Sequence, residues 1–253
     1  MKKYLESNKH YSHLIESIGA WGLYQRQLLA VIVIGWFVAG MYETALFVFF
    51  DMGDPACQAI SKAECIDENH MCKDINRVKD YFPGGELPVT LPYLLEIECS
   101  KGARYWLESV DDIAPVLGAL LAGWLSAHYG KKKLLIVGNI LLMLGTFILL
   151  FKRDSLAGVI IGQIFIGVPH YALCIVLLSL MPDVTTEKIT AWAVVAAMIG
   201  SKIGRMLMAG IFMATNNLLV LICSTLLPVV ILYLFVHCYY YESPRYLIDT
   251  DLF

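Results

Sequence analysis

Three ionisable side chains inside long apolar stretches are the first candidates for chemistry in this sequence: Glu43, Lys202 and Arg205. Lys202 and Arg205 are three residues apart, so in a helix they share one face. A Lys or Arg at the centre of a membrane helix costs about 2.5–3.5 kcal/mol, so these groups need partners or water. Glu43 and Arg205 stand about equally far along spans that run in the same direction, which predicts a buried ion pair between them.

Two interpretations of these charges stay open. Either they form a site for an anionic substrate or for proton coupling, or they form a structural ion pair that contacts a partner subunit or a lipid headgroup. A fourth group, His170, follows Pro169. We interpret it as a histidine packed inside a helix bundle rather than as a proton relay.

The elements that position these groups are membrane spans. The chain is 58% hydrophobic, which is too apolar for an ordinary soluble domain. A bilayer core of about 30 Å needs about 20 apolar residues per helix. The sequence therefore predicts an all-α integral membrane protein with six transmembrane helices. The predicted spans are residues 28–50, 106–127, 134–151, 156–181, 189–214 and 218–239.

The placement of Lys and Arg in short loops predicts the topology, because basic loops stay on the cytoplasmic side or its equivalent. The basic run Lys131–Lys133 fills the second connection, and several basic residues precede the first span. Both termini are thus expected on the inner side. The predicted organisation is an N-terminal segment 1–27, a first helix 28–50, a large outer loop 51–105, helices two to six in 106–240 and a tail 241–253.

Four cysteines lie in or beside the outer loop: Cys57, Cys65, Cys72 and Cys99. They predict two disulfides in an oxidising compartment, with three connectivities open. The extracellular space and the mitochondrial intermembrane space both meet that condition. A zinc site is the competing interpretation, but the spacing lacks a Cys-x-x-Cys pair, so we expect no metal.

Two sequence strings carry a resemblance to a known family. The string Gly-Ala-Trp-Gly-Leu-Tyr-Gln-Arg at 19–26 precedes the first span, and Glu242, Ser243, Pro244 and Arg245 follow the sixth. Together with the cysteine-containing outer loop, they resemble the organic cation and anion carriers of the major facilitator superfamily. The resemblance implies the N-terminal six-helix half of a twelve-helix fold, built as a three-plus-three helix repeat.

The charged positions of that family's motifs are neutral here. The segment 123–133 resembles the loop motif Gly-x-Leu-Ser-Asp-x-x-Gly-Arg, with Ala127 in place of the aspartate. Gln163 stands where the family has arginine, and Ser179 stands where it has glutamate. The resemblance implies that these positions belong to a charge network that exchanges partners during transport. The degenerate motif positions comprise Gly123, Ala127, Gly130, Lys131, Gln163, Ser179, Pro182 and the four residues after the sixth span.

These substitutions predict a non-transporting accessory subunit of a larger membrane complex. The expected partners are membrane lipids, among them acidic phospholipid, and other membrane subunits, with no nucleic acid. An alternative is a secondary transporter of small organic ions that acts as a dimer of six-helix halves. A third interpretation is a fragment of a full-length carrier. No catalytic triad, nucleotide-binding loop or metal-ligand cluster is present in the sequence, so neither an enzyme nor a cofactor is expected.

The sequence also bears on the compartment. It contains no Asn-x-Ser/Thr sequon, whereas plasma-membrane members of the resembled family usually carry glycans on the large loop. We therefore favour the mitochondrial inner membrane over the plasma membrane.

Overall fold

The computed structural model describes residues 22–50, 101–184, 187–215 and 217–239. They form six α-helices of 22 to 29 residues. At a rise of about 1.5 Å per residue these helices are about 33–44 Å long, enough to cross a bilayer core. The helices are α1 (Leu23–Phe50), α2 (Lys101–Tyr129), α3 (Lys131–Lys152), α4 (Leu156–Val184), α5 (Glu187–Thr215) and α6 (Leu218–Tyr239).

The predicted six-helix transmembrane architecture is confirmed, because each helix contains a span long and apolar enough to cross a membrane. The helix ends differ from the predicted span ends. Helix α1 begins at Leu23, five residues before the predicted first span, and α2 begins at Lys101, five residues before the second. Hydropathy marks only the part of a helix inside hydrocarbon, whereas backbone hydrogen bonding continues into the polar interface.

The six helices pack in two rows. Helix α1 packs most extensively on α5, and α4 packs on both α2 and α3. Contact between α1 and α4 joins these groups, so a front row runs α5–α1–α4–α2. Helices α3 and α6 lie behind this row, with α6 against α3 and α1. The helices at the two ends of the front row, α2 and α5, are the least buried, with 17% and 28% of their spans covered.

The close approach of α1 and α5 depends on glycine. A Cβ on Gly40 would overlap the carbonyl oxygen of Ser201, and a Cβ on Gly204 would overlap that of Phe37. Small residues let transmembrane helices approach until their main chains touch. The glycines therefore fix how far apart these two helices lie, and with that the positions of the charged side chains they carry.

Polar contacts join helices both between the two rows and within the front row. The hydroxyls of Tyr42 in α1 and Thr146 in α3 are 2.8 Å apart in the buried interior. Gln163 of α4 donates from Nε2 to the main-chain oxygen of Leu107 in α2, at 3.2 Å. In a setting without water each buried polar group needs such a partner, so these bonds fix the rotation of the helices about their axes.

Candidate functional site

A cavity of about 360 Å³ opens at the front row of the bundle. All four front-row helices contribute to it: α1 supplies Glu43, Thr44 and Leu46, while α2, α4 and α5 each supply one side chain. Those three side chains are Asp111, Tyr171 and Arg205. The cavity therefore combines two carboxylates, one guanidinium, one phenol and the apolar side chain of Leu46.

The ion pair predicted between α1 and α5 is present. Arg205 donates from Nη2 to Oε2 of Glu43. The prediction that this pair is buried is wrong. The side chain of Arg205 is 39% exposed and that of Glu43 is 46% exposed. The pair lies at the open cavity rather than between packed helices, so only one side of it is covered by the bundle.

The cavity extends from near the middle of the span of α5 towards the end of the span of α1, where Glu43 lies three residues before Leu46. Lys202 is the middle residue of the span Ile189–Thr215, and Arg205 is three residues further along α5. At about 1.5 Å per residue, Arg205 is displaced about 4–5 Å from the centre of that span. Ionisable groups at this depth in transmembrane bundles face a cavity, a partner or the bundle interior.

The charge of the cavity lining is negative. Arg205 is paired with Glu43, and Asp111 forms no salt bridge with the described residues. Lys202 is exposed on α5 and does not line the cavity. The structure thus brings Glu43 and Arg205 together but leaves Lys202 apart from them. The two cations predicted to share one face do not converge on a single anion site.

His170 is separate from this cavity. It is buried, and its ring lies 6.2 Å from that of Tyr42 and 5.0 Å from that of Tyr171, measured between centroids. Its ring packs among aromatic side chains of the bundle interior. The cavity wall includes the neighbouring Tyr171 instead.

Comparison with protein families identifies the chain. Residues 99–251 match the family described as sugar (and other) transporter. The chain belongs to this family. The match supports the major facilitator superfamily, and six membrane-spanning helices fit one half of that fold. A comparison with curated proteins found no match. The narrower resemblance to organic cation and anion carriers stays a prediction.

The motif positions of this transporter-family chain make local contacts. Gln163 is buried and bonds to the main chain of α2, and the Ser179 hydroxyl bonds to the carbonyl of Val176 in its own helix at 2.8 Å. Lys131 donates to the main-chain oxygen of Ser179 at 2.7 Å. Ala127 is exposed, as is Pro182. The neutral side chains of Gln163 and Ser179 thus each bond to the main chain, while Oε1 of Gln163 has no hydrogen-bond partner among the described residues.

The turn between α2 and α3, which contains the loop motif, requires a glycine. Gly130 is the single residue between α2 and α3, and its φ of 85° lies in the region that only glycine adopts readily. A Cβ on Gly123 would meet no atom within 4 Å among the described residues. Chain reversal therefore requires Gly130 but does not require Gly123.

Several predicted positions lie outside the described residues. They are the loop cysteines Cys57, Cys65, Cys72 and Cys99 and the motif residues Glu242, Ser243, Pro244 and Arg245. The disulfides and the role of the final motif stay predictions. Cys174, Cys223 and Cys238, which the sequence places within spans, are free thiols.

Sequence reasoning missed four of the six cavity residues, two of which, Asp111 and Tyr171, are ionisable. Asp111 carried a signal, because Asp111 and Asp112 interrupt the otherwise apolar second span. Charged residues inside a span are functional candidates by default. Tyr171 carried none, because nothing in the sequence distinguishes a tyrosine that lines a cavity from one that packs in a bundle.

Proposed function

We propose that this multi-pass membrane protein of the transporter family is a structural subunit of a larger membrane complex and does not itself transport. The observation that carries the proposal is the state of the motif positions. Gln163 and Ser179 are neutral and are bonded to nearby main chain, and Ala127 has no polar group. Because these three side chains are uncharged, they have no charge to exchange between two states of a carrier.

The exposed helices support a role in assembly. Lys202 is exposed at the middle of α5, about 15 Å from either edge of the hydrocarbon core. A lysine side chain is much shorter than that distance, so the ammonium group does not reach lipid headgroups from there without thinning the bilayer. Lys202 therefore favours a protein neighbour over the acidic phospholipid among the expected partners.

A second candidate function is transport of small organic ions by two six-helix bundles. The cavity of about 360 Å³ favours it, since a cavity lined by charged groups within the membrane spans, facing a second bundle, would suit alternating access. The negative lining would then suit a cationic group better than an anion. The cavity and the match to a transporter family favour transport, whereas the neutral motif positions count against it.

Purification tests the two functions against each other. We expect the protein, extracted from its native membrane in mild detergent, to elute with other membrane subunits in fixed stoichiometry. We also expect liposomes containing the purified protein alone to take up organic cations or anions no faster than empty liposomes. Uptake well above that of empty liposomes, saturable in substrate, would contradict the structural role.

The compartment belongs to the same proposal. We place the protein in the mitochondrial inner membrane rather than the plasma membrane, and the sequon-free sequence supports this. Fractionation of cells, followed by detection of the protein in the inner-membrane fraction, tests it. Recovery with plasma-membrane markers would overturn it.

A further inference from the structure

We infer that the end of the bundle where α3 begins and α6 ends binds the headgroup of an acidic phospholipid, whose acyl chains lie along the exposed face of α3. This surface lies behind the front row, and neither α3 nor α6 lines the cavity. The inference goes beyond the proposed function, because it holds whether or not the cavity admits a solute.

The ends of α3 and α6 lie at the same depth. Consecutive membrane spans alternate in direction, so α3 and α6 are antiparallel, and they pack against each other. Thr146 of α3 and Thr225 of α6 both bond to the hydroxyl of Tyr42, which makes the two helices level at these residues. Lys132 precedes Thr146 by fourteen residues, which is about 21 Å along α3. His237 follows Thr225 by twelve residues, about 18 Å along α6. Lys132 and His237 therefore differ in depth by only about 3 Å.

This end lies where lipid headgroups are. The span Lys131–Lys152 has 22 residues. At about 1.5 Å per residue it is about 33 Å long, close to the thickness of a bilayer core of about 30 Å. The lysines that begin this span thus emerge from the hydrocarbon at the membrane surface. Lys202, in contrast, is at the middle of its span and too deep for a headgroup.

Helices α3 and α6 contribute no negative charge at this end. Neither helix contains an Asp or a Glu. Lys131 is directed into the bundle, where it donates to the main-chain oxygen of Ser179. Lys133 is exposed and forms no salt bridge with the described residues, Lys132 is half-exposed, and His237 is exposed on α6. A phosphate group can therefore approach Lys132 and Lys133 without meeting a carboxylate of either helix.

An exposed apolar stripe continues from Lys133 along α3. Its members recur every three or four residues, so they share one helix face with Lys133. They are Val137, Ile140, Leu144 and Phe147, each 45–51% exposed. Val137 and Phe147 are ten residues apart, about 15 Å, which is half of the bilayer core and thus the depth of one leaflet. Headgroup and acyl chains of one lipid therefore fit the same face of α3.

The other end of α3 does not have this excess of positive charge. Lys152 and Arg153 are followed there by Asp154, and Arg153 pairs with Asp154 at 3.8 Å. Only the end with Lys132 and Lys133 thus attracts a headgroup of net negative charge. A zwitterionic headgroup would bring its own cation against these lysines. Each lysine near an acidic membrane surface increases affinity by about fivefold.

Lipid binding to the purified protein tests the inference. The protein in detergent is titrated with phosphatidylglycerol or with phosphatidylcholine, and native mass spectrometry counts the lipids bound. We expect phosphatidylglycerol to bind in preference to phosphatidylcholine. Replacing Lys132 and Lys133 together by glutamine should weaken phosphatidylglycerol binding about twenty- to thirtyfold, because two contributions of about fivefold are lost.

Two control variants identify the cause of such a loss. Lys132→Arg combined with Lys133→Arg keeps both charges and should bind like the parent, which separates a lost charge from a misfolded chain. Lys152→Gln removes an exposed lysine at the other end of α3 and should leave binding unchanged.

Three results would overturn the inference. They are equal binding of the two lipids by the parent, equal phosphatidylglycerol binding by the parent and the double glutamine variant, and an equal loss with Lys152→Gln. Displacement of phosphatidylglycerol by millimolar inorganic phosphate would also overturn it, because the site would then be one for a soluble anion.

This test is separate from that of the proposed function. Absence of acidic-lipid binding would leave the structural role intact. Uptake of organic ions by liposomes containing the protein would overturn the structural role and leave the lipid site intact.

Discussion

Replacing Arg205 with methionine is expected to lower the stability of the bundle, because the Glu43 carboxylate then loses its cation near the middle of the membrane. Removing one partner of a buried pair costs about 3–5 kcal/mol, whereas an exposed pair contributes about 0–1 kcal/mol. The side chains of this pair are 39% and 46% exposed. We therefore expect a loss of about 2 kcal/mol in the free energy of unfolding, between those two limits.

Thermal unfolding of the purified protein in detergent measures this loss. For a chain of this size, about 2 kcal/mol corresponds to a decrease of about 4–8 °C in midpoint. Combining Arg205→Met with Glu43→Gln removes the unpaired charge and should recover a large part of the decrease. An Arg205→Met midpoint equal to that of the parent would show that water in the open cavity already screens the pair.

The second large effect concerns the contact between α1 and α5. Gly204→Ala is expected to destabilise the protein by about 1–3 kcal/mol, the range seen when atoms are forced into packed interiors. The added Cβ would overlap the main-chain oxygen of Phe37, which belongs to a helix and does not move independently. Helices α1 and α5 must separate, and Glu43 and Arg205 move apart with them.

Helix α5 offers a matched control for this substitution. A Cβ on Gly210 meets no atom within 4 Å among the described residues, so Gly210→Ala should leave the midpoint unchanged or raise it, because alanine favours a helix. Thermal midpoints of both variants, measured in one detergent, provide the comparison. Equal midpoints for the two variants would show that α1 and α5 lie further apart in the membrane than in this structure.

The sequence alone determined the membrane architecture. Six spans were predictable because the bilayer requires a length and an apolarity that can be counted along the chain. The loss of charge at motif positions 127, 163 and 179 was equally predictable, because the residue types Ala127, Gln163 and Ser179 are given directly by the sequence. The helix ends were less predictable, and α1 and α2 both begin before their predicted spans. Hydropathy does not report the backbone hydrogen bonds that continue into the membrane–water interface.

Tertiary structure decided which side chains meet. Spacing placed Lys202 and Arg205 on one helix face, yet only Arg205 lines the cavity. The cavity also recruits Asp111 and Tyr171, which come from helices distant in sequence. The physical reason is that partner choice depends on how each helix is rotated and how closely it approaches its neighbours. Glycine contacts such as Gly204 on Phe37 set that approach, and one helix in isolation contains no information about it.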